Sequence, residues 1–331
     1  MEHKTLHLLP LKQTGKMTDQ VTKPSISHSK SLKLMGNQFE LTAVHESLEV
    51  CKQAVEIGIL EVRRIEALLT TFSEDSITAS INKNAGVSPI QVPVEVFYLI
   101  ERCQRISNLT QGAFDITYGS VDKKYWNFDT KMAQLPDPKI AKKAVKLVDY
   151  RNLVLDAQEK TVFLKYKGMR IGFGGIGKGY AAEMAKKVMI SKGVESGVVN
   201  AAGDLTAWGN QINGRPWTIG IADPNHKQNL FSQFEISNKS VATSGDYEKY
   251  VIIDGKRYSH TIDPVTGMPA QGLKSVTIIC QNAELADALT TPLIVMGRDA
   301  GLHMINQLNG VEAIIIDQND KIYYSKNIKV K

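Results

Sequence analysis

The stretch Arg170-Ile-Gly-Phe-Gly-Gly-Ile-Gly-Lys-Gly-Tyr-Ala-Ala182 constrains the fold more than any other. A short β-branched and aromatic run leads into glycines 172, 174, 175, 177 and 179 around Lys178, and a helical pattern then runs from about Lys178 to Lys192 and stops at Gly193. A strand, a glycine loop and a helix N-terminus in succession make an anion site. The backbone N–H groups can approach a ligand closely because no Cβ intervenes, and the helix dipole favours negative charge. The expectation from this stretch is a phosphorylated ligand.

Several readings of the loop compete. Gly172, Gly174 and Gly177 fit the dinucleotide fingerprint G-x-G-x-x-G, with Glu195 roughly where an acidic ribose partner would fall. Gly172 to Lys178 also fits G-x-x-x-x-G-K, but Gly179 stands where a P-loop needs Ser or Thr for Mg²⁺. An unliganded glycine-rich turn is the plain structural alternative. The rest of the chain has to decide.

The chain has 331 residues, enough for one large domain or two lobes. Its formal charge of +6 is less informative than it looks. Residues 1–33 carry six Lys against Glu2 and Asp19, residues 317–331 carry four against Asp317 and Asp320, and the stretch between is neutral. No basic patch interleaved with aromatics argues for nucleic acid. Cys51, Cys103 and Cys280 lie far apart without a C-x-x-C, and read as buried thiols rather than a disulfide frame or metal site. No stretch reaches the length of a membrane span, and the N-terminus lacks the apolar core of a signal peptide. A cytoplasmic protein is expected, or a periplasmic or membrane-anchored one if a leader was removed.

Residues 1–33 are rich in Lys, Ser, Thr, Gln and His, so a disordered tail is expected, with one domain over 34–331. Order begins near Leu34-Met35-Gly36, followed by an alternating strand, Gln38–His45. Apolar spacing predicts helices over Glu46–Leu69 and Val94–Thr110, with a loop at Thr70–Ser76. A mixed segment with Trp126 follows, then a hairpin over Leu153–Leu164. Asp254-Gly255 is a strong hairpin turn. Helices are expected over Ala283–Met296 and Ala300–Leu308. Helices interspersed with hairpins predict an α+β fold: mixed, largely antiparallel sheets with packed helices.

Two further stretches carry chemistry. Ser240-Val-Ala-Thr-Ser-Gly-Asp-Tyr247 reads as a polar loop, continuing through a hairpin to Tyr258-Ser-His-Thr-Ile-Asp-Pro264. His260 could donate to a phosphate or relay a proton, or could simply be a satisfied structural His. In Ala286-Asp-Ala-Leu-Thr-Thr291, Asp287 and Thr291 are i and i+4 and share a helix face. A carboxylate and a hydroxyl together suit a hard cation such as Mg²⁺, although Asp287 could merely favour a helix N-terminus. Phosphoryl chemistry is mostly positioning and charge neutralisation, which such parts can supply.

Taken together, these pieces resemble the ApbE family, the FAD:protein FMN transferases, from about Leu34 to the last hairpin. The resemblance is carried by Leu34-Met-Gly36, Gly112-Ala-Phe-Asp115, Gly174-Gly-Ile-Gly-Lys-Gly-Tyr-Ala181, Val199-Asn-Ala-Ala-Gly-Asp204, Ala242-Thr-Ser-Gly-Asp-Tyr247, Tyr258-Ser-His-Thr-Ile-Asp-Pro264 and Ala286-Asp-Ala-Leu-Thr-Thr291, in the family's order. It implies a two-lobed enzyme that binds FAD with Mg²⁺, cleaves the pyrophosphate and transfers FMN to a Thr or Ser hydroxyl of an acceptor flavoprotein, releasing AMP. It further implies that Met35, Phe72, Ala113, Phe114 and Asp115 touch FAD, and that Lys178 and His260 lie near the phosphates with the Ser244-Gly245-Asp246 segment. Asp287 and Thr291 would hold Mg²⁺ by side chain, and Gly175 by its carbonyl. His260 is the implied proton carrier for the acceptor hydroxyl, with Asp246 a rival.

Two departures from the family pattern stand out. The family usually reads Asp-Leu-Gly-Gly where this chain has Gly172-Phe-Gly-Gly175, and Gly177 replaces its usual Ala. The missing Asp is normally a flavin-nucleotide contact. Two alternatives therefore stay open: an FAD pyrophosphatase that gives FMN and AMP to water, and an FAD-binding protein without turnover.

Overall fold

A computed structural model of the protein describes residues 5–8 as backbone, and residues 25–122, 134–222, 230–246 and 250–330. Six helices lie among them: α1 (Leu48–Leu69), α2 (Ile77–Lys83), α3 (Val94–Leu109), α4 (Pro138–Ala144), α5 (Gly177–Ser191) and α6 (Ala283–Ile305). The strands in chain order are β1 (Thr5–Leu8), β2 (Ile26–Leu34), β3 (Asn37–His45), β4 (Ile90–Gln91), β5 (Leu153–Asp156), β6 (Thr161–Leu164), β7 (Ser196–Ala201), β8 (Asp204–Trp208), β9 (Trp217–Ala222), β10 (Leu230–Ile236), β11 (Lys239–Gly245), β12 (Tyr250–Ile253), β13 (Lys256–Ser259), β14 (Leu273–Cys280), β15 (Glu312–Asp317), β16 (Ile322–Tyr324) and β17 (Ile328–Val330).

The frame is an eight-stranded sheet in the order β16-β15-β14-β11-β8-β7-β3-β2, in which every neighbouring pair is antiparallel. Its central strands are covered on both faces, and the two-residue period of a strand sorts their side chains between two cores. Val276, Ile278, Ala313 and Ile315 join the large core under the helices, while Ile279, Ile314, Leu205 and Ala207 join a smaller one. That smaller core also takes Phe234, Ile236 and Ile328 from the four-stranded sheet β17-β1-β10-β9. The fold is thus α+β with largely antiparallel sheets, as the interspersed helices and hairpins predict; β1 and β10 form a parallel exception. All three cysteines are free and buried.

α1 buries Cys51, Ala54, Val55, Ile59, Val62, Ile65 and Leu69, one stripe at three- and four-residue spacing. α6 packs on β11 and β14, and α5 lies between α1 and α6. The α5–α6 crossing depends on a missing side chain: a Cβ on Gly179 would stand 2.2 Å from the Ala283 carbonyl oxygen and 2.7 Å from Asp287 Cβ. α6 breaks at Gly297, whose φ of 76° no helix accommodates. That break separates the two helices expected from sequence.

Three expectations are corrected and one helix is added. Order begins upstream of Leu34: Ile26–Leu34 is a strand paired along its whole length with β3, and Thr5–Leu8 forms β1. A backbone ladder does not need apolar side chains, so Ser, Lys and His on an edge strand conceal it in the composition. The rest of the tail lies outside the described residues, as do Trp126 and Tyr247. α2 follows the loop at Thr70–Ser76, started by Ser76, whose hydroxyl caps Ala79 N–H at 3.0 Å. The Ser240–Gly245 segment is not a loop but the central strand β11. Its hydroxyls bond across the sheet and to α6: Thr243 to Thr277 at 2.9 Å, Ser240 to Thr206 at 3.0 Å and Ser244 to Thr290 at 2.9 Å.

The third correction concerns the run into the glycine loop, which pairs with no strand. Instead the buried Asn82 side chain accepts from Ile171 N–H at 2.7 Å and donates to the Ile171 carbonyl at 3.1 Å. An amide side chain thereby replaces a neighbouring strand. Together with the antiparallel sheet, this removes the dinucleotide-fingerprint reading, which requires a parallel βαβ unit.

Gly179→Ala is expected to lower stability by about 2 kcal/mol or more, because its methyl meets backbone rather than a movable side chain. Gly177→Ala is expected to be neutral or slightly stabilising, since its Cβ would meet Phe173 Cβ at 3.4 Å and Met35 Cε at 3.6 Å. Urea unfolding of the two variants checks both.

Candidate active site

The glycine loop is held from two sides before α5 begins. Gly172 N–H donates to the Ile116 carbonyl at 2.9 Å, and Ser120 Oγ accepts from Arg170 N–H at 2.8 Å. Gly177 N–H then turns back to the Phe173 carbonyl at 2.7 Å. No side chain from the loop caps α5. One of its first-turn donors is met from elsewhere: Asp287 Oδ2, on α6, accepts from Gly179 N–H at 2.9 Å. The reverse contact also exists. Glu183 Oε2, on α5, accepts from Ala283 N–H at 3.1 Å at the start of α6. Each helix supplies the other with a carboxylate at its positive end.

This crossing brings the proposed metal ligands together. A Cβ on Gly175 would lie 3.9 Å from Thr291 Oγ1 and 3.7 Å from the Phe114 ring. Thr291 is one turn along α6 from Asp287, which is buried. The donor set of carboxylate, hydroxyl and main-chain carbonyl is all oxygen, which fits Mg²⁺ better than a softer metal. Among the described residues there is no group of three or more His, Cys, Asp or Glu that would form an all-protein cage. A Mg²⁺ ion characteristically needs few protein ligands when a substrate phosphate supplies others.

Met35 stands at the tip of the β2–β3 hairpin with φ 50°, followed by Gly36 at 74°, a two-residue turn of left-handed residues. That turn carries the Met35 methyl to Gly177. Ala113 and Phe114 follow the end of α3, where Thr110 Oγ1 accepts from Phe114 N–H at 3.0 Å. Phe72 is 97% exposed, in the loop whose neighbour Thr71 lies against Gly172. A Cβ added at Gly172 would meet only Thr71 Cγ2, at 3.9 Å.

Asp115 is committed to the chain itself. Its Oδ1 accepts from Thr117 N–H at 2.7 Å and Thr117 Oγ1–H at 2.6 Å, and its Oδ2 accepts from Tyr150 N–H at 2.7 Å. Burial pushes its pKa from 3.8 up to about 6, against the pull of those donors.

Ser244 and Gly245 end β11, and Asp246 follows them. Ser244 bonds Thr290, the residue before Thr291, and Asp246 faces Arg257 at 3.4 Å. Burial raises the Asp246 pKa, and Arg257 opposes the rise. Arg257 also stacks on Tyr250 across the β12–β13 hairpin, 4.5 Å from the ring centroid, and its ion pair with Asp246 ties that hairpin to the residue after β11. His260 follows that hairpin directly and is half-buried. Its loop is closed by the Ile262–Pro269 bridge and rests on α4: a Cβ on Gly267 would stand 2.1 Å from the Ala141 carbonyl oxygen.

Lys178 forms an ion pair with Asp204, at the first position of β8. Neither this partnership nor the roles of Glu183 and Arg257 is visible in the sequence reading. The available signal was Asp204 itself, a carboxylate placed after the Ala202-Gly203 turn and before an apolar strand.

An α+β frame in which a glycine loop, a helix N-terminus and hard oxygen donors meet has the parts that a phosphate-handling protein needs. A family model described as the ApbE family matches residues 35–315, and the chain belongs to that family. It is 31% identical over 300 residues to the FAD:protein FMN transferase of Treponema pallidum, covering 86% of this chain and 81% of that one. The FAD:protein FMN transferase of Klebsiella pneumoniae is 30% identical, with coverage of 90% and 92%. Among solved structures, the ApbE protein of Thermotoga maritima superposes with a TM-score of 0.83 at 29% identity, covering 91% of this chain and 97% of that one. Flavinyl transferase ApbE of Pseudomonas stutzeri gives 0.80 at 26%, with coverage of 92% and 96%. Among the described residues no helix is long and apolar enough to cross a membrane.

The raised pKa of Asp115 has a defined sign. The folded state binds the proton more tightly than the unfolded chain between pH 3.8 and about 6, so this group's contribution falls as pH rises through that window. The stability difference between wild type and Asp115→Asn is therefore expected to shift against wild type by up to about 3 kcal/mol from pH 4 to pH 7. Denaturant titrations at the two pH values measure it.

Proposed function

We propose that this chain transfers FMN from FAD to a Ser or Thr hydroxyl of an acceptor protein, with Mg²⁺ bound and AMP released. One observation carries the proposal. Asp287 and the start of α5, 108 residues apart in sequence, meet beside Gly175 and Thr291 at a glycine loop built for a phosphate. The names of the relatives supply the flavin nucleotide and the protein acceptor.

In this reading Asp287, Thr291 and the Gly175 carbonyl hold Mg²⁺, which when bound neutralises charge on the diphosphate as a Lewis acid. Loop N–H groups other than those of Gly172, Ile176, Gly177 and Gly179, which the chain itself occupies, bind and orient the same diphosphate together with the ammonium of Lys178. Met35, Phe72, Ala113 and Phe114 line the flavin side, with the exposed Phe72 ring offered as a stacking face. Asp115, whose oxygens the chain occupies, shapes that wall rather than reaching the ligand by side chain. Ser244, Gly245 and Asp246 border the phosphates from β11.

The acceptor hydroxyl oxygen attacks the phosphorus of the FMN half. A new P–O bond forms, the pyrophosphate P–O bond breaks, and AMP leaves with the bonding electrons. His260 takes the hydroxyl proton. Asp246 is less suited to that role because Arg257 already engages it. Loop anchoring by α4 holds His260 in place, as in-line transfer demands.

Incubation with FAD, Mg²⁺ and a library of Ser- and Thr-containing peptides, followed by mass spectrometry with AMP measured in parallel, is expected to give a peptide heavier by one FMN for each AMP released. AMP and free FMN with every peptide unmodified would instead indicate a pyrophosphatase.

Asp287→Asn keeps an acceptor for Gly179 N–H but loses the charge. It is expected to retain the wild-type melting temperature within a few degrees and to lose Mg²⁺-dependent AMP release; undiminished release at low Mg²⁺ would remove Asp287 from the metal site. His260→Ala is expected to slow transfer by about 100-fold or more while changing FAD affinity far less. Stopped assays beside an FAD fluorescence titration separate the two effects, and equal losses would make His260 a binding residue only.

A further inference from the structure

Lys178 and Asp204 are each placed against stability when considered alone. Lys178 is the second residue of α5, where the positive end of the helix disfavours a cation. Asp204 is 3% exposed, and an uncompensated carboxylate at such depth is strongly destabilising. Burial raises the Asp204 pKa, and Lys178 is the cation that opposes the rise. The two charges offset each other, but an apolar pair would fill the space with less penalty.

The fold determines where Asp204 points. Ala202 and Gly203, with φ of 57° and 100°, make the tight β7–β8 turn, and Asn200 Oδ1 accepts from Gly203 N–H at 2.8 Å to hold it. Along β8 the side chains then alternate. Leu205 and Ala207 face the second sheet, so Asp204, Thr206 and Trp208 face the helices. Asp204 Oδ1 accepts from Thr243 N–H at 3.3 Å on β11, and Oδ2 takes the Lys178 ammonium. The carboxylate is thereby fixed by two strands, while the Lys178 side chain remains 25% exposed beside the glycine loop. A flexible four-carbon side chain with a point charge gains a defined position from a rigid, buried partner.

We propose that Asp204 is a positioning residue that holds the Lys178 ammonium over the glycine loop, where it meets the substrate diphosphate. This rests on the reading above that Lys178 binds phosphate. Asp204 touches no substrate; it acts through Lys178, and its effect requires that lysine.

The test is a double-mutant cycle with Asp204→Asn, Lys178→Ala and the double variant. It reads kcat and KM for FAD in the peptide assay, the affinity for ADP as a diphosphate probe, and the melting temperature. Asp204→Asn is expected to lower kcat by about 100-fold, the scale of a misplaced group. In the Lys178→Ala background the same change is expected to alter kcat by less than about twofold. Losses that multiply in the double variant would overturn the proposal, as would a kcat in Asp204→Asn within about twofold of wild type. Should Asp204→Asn fail to fold, Lys178→Arg keeps the charge and displaces it, and a comparable loss of kcat is expected. Full activity in Lys178→Arg would overturn the proposal. Wild-type protein that transfers no FMN, while Asp204→Asn weakens ADP binding at least tenfold and does so only when Lys178 is present, would sink the transfer reading and uphold the positioning role.

Discussion

The site depends on two helices that complete each other's ends. Gly179 N–H is met by Asp287 from α6, and Ala283 N–H by Glu183 from α5. The exchange is possible only because Gly179 lets the Ala283 carbonyl come within the space a Cβ would fill. Each charge-assisted hydrogen bond returns about 1.5–3 kcal/mol, and each buried carboxylate costs about as much or more. The net gain in stability is therefore small, and the gain in definition is large. The start of α5, the glycine loop and the Asp287–Thr291 face are locked in one arrangement.

The same economy recurs around the crossing. Glu284 is buried and held by two bonds from Arg102, at 2.5 and 3.0 Å, and Arg102 in turn lies over the Tyr180 ring on α5. Hydroxyls bridge β11 to β8, β14 and α6. Polar groups are thus spent near the active site, where each needs a defined partner, while the remote face of the sheet is closed by Leu205, Phe234, Ile279 and Ile314. A polar network that is fully satisfied specifies geometry in a way that an apolar contact of similar size does not.

The course of the chain was readable wherever one period dominated. The stripe of α1 and the turn at Asp254-Gly255 follow from local rules, and the elements they predict are present. The expected helix end at Met296 also matches, at the break at Gly297. Elements failed to show where their stabilisation comes from partners. β2 has a ladder but little apolar alternation, β11 is built of small hydroxyl residues that pack between two layers, and the run into the glycine loop is held by Asn82, 89 residues away. Local composition in those segments resembles a tail, a polar loop and a strand respectively.

For the site, chain order and residue type were enough to mark Gly175, Asp287 and Thr291 as oxygen donors and the glycine loop as a place for an anion. The pairing of Asp287 with Thr291 and the anion site rest on short-range rules, i and i+4 on one helix face and glycine before a helix start, whereas Gly175 entered only as what the family resemblance implies. Folding in three dimensions added the rest: Asp287 caps α5, Asp204 reaches Lys178, Arg257 holds Asp246, and Asp115 serves the backbone. Each of these is a contact between groups distant along the chain, made when strands of the large sheet and the helices above it come into register. A linear pattern records which groups can hydrogen-bond or carry charge, but the partner a buried group must find is set by what the packed layers place beside it.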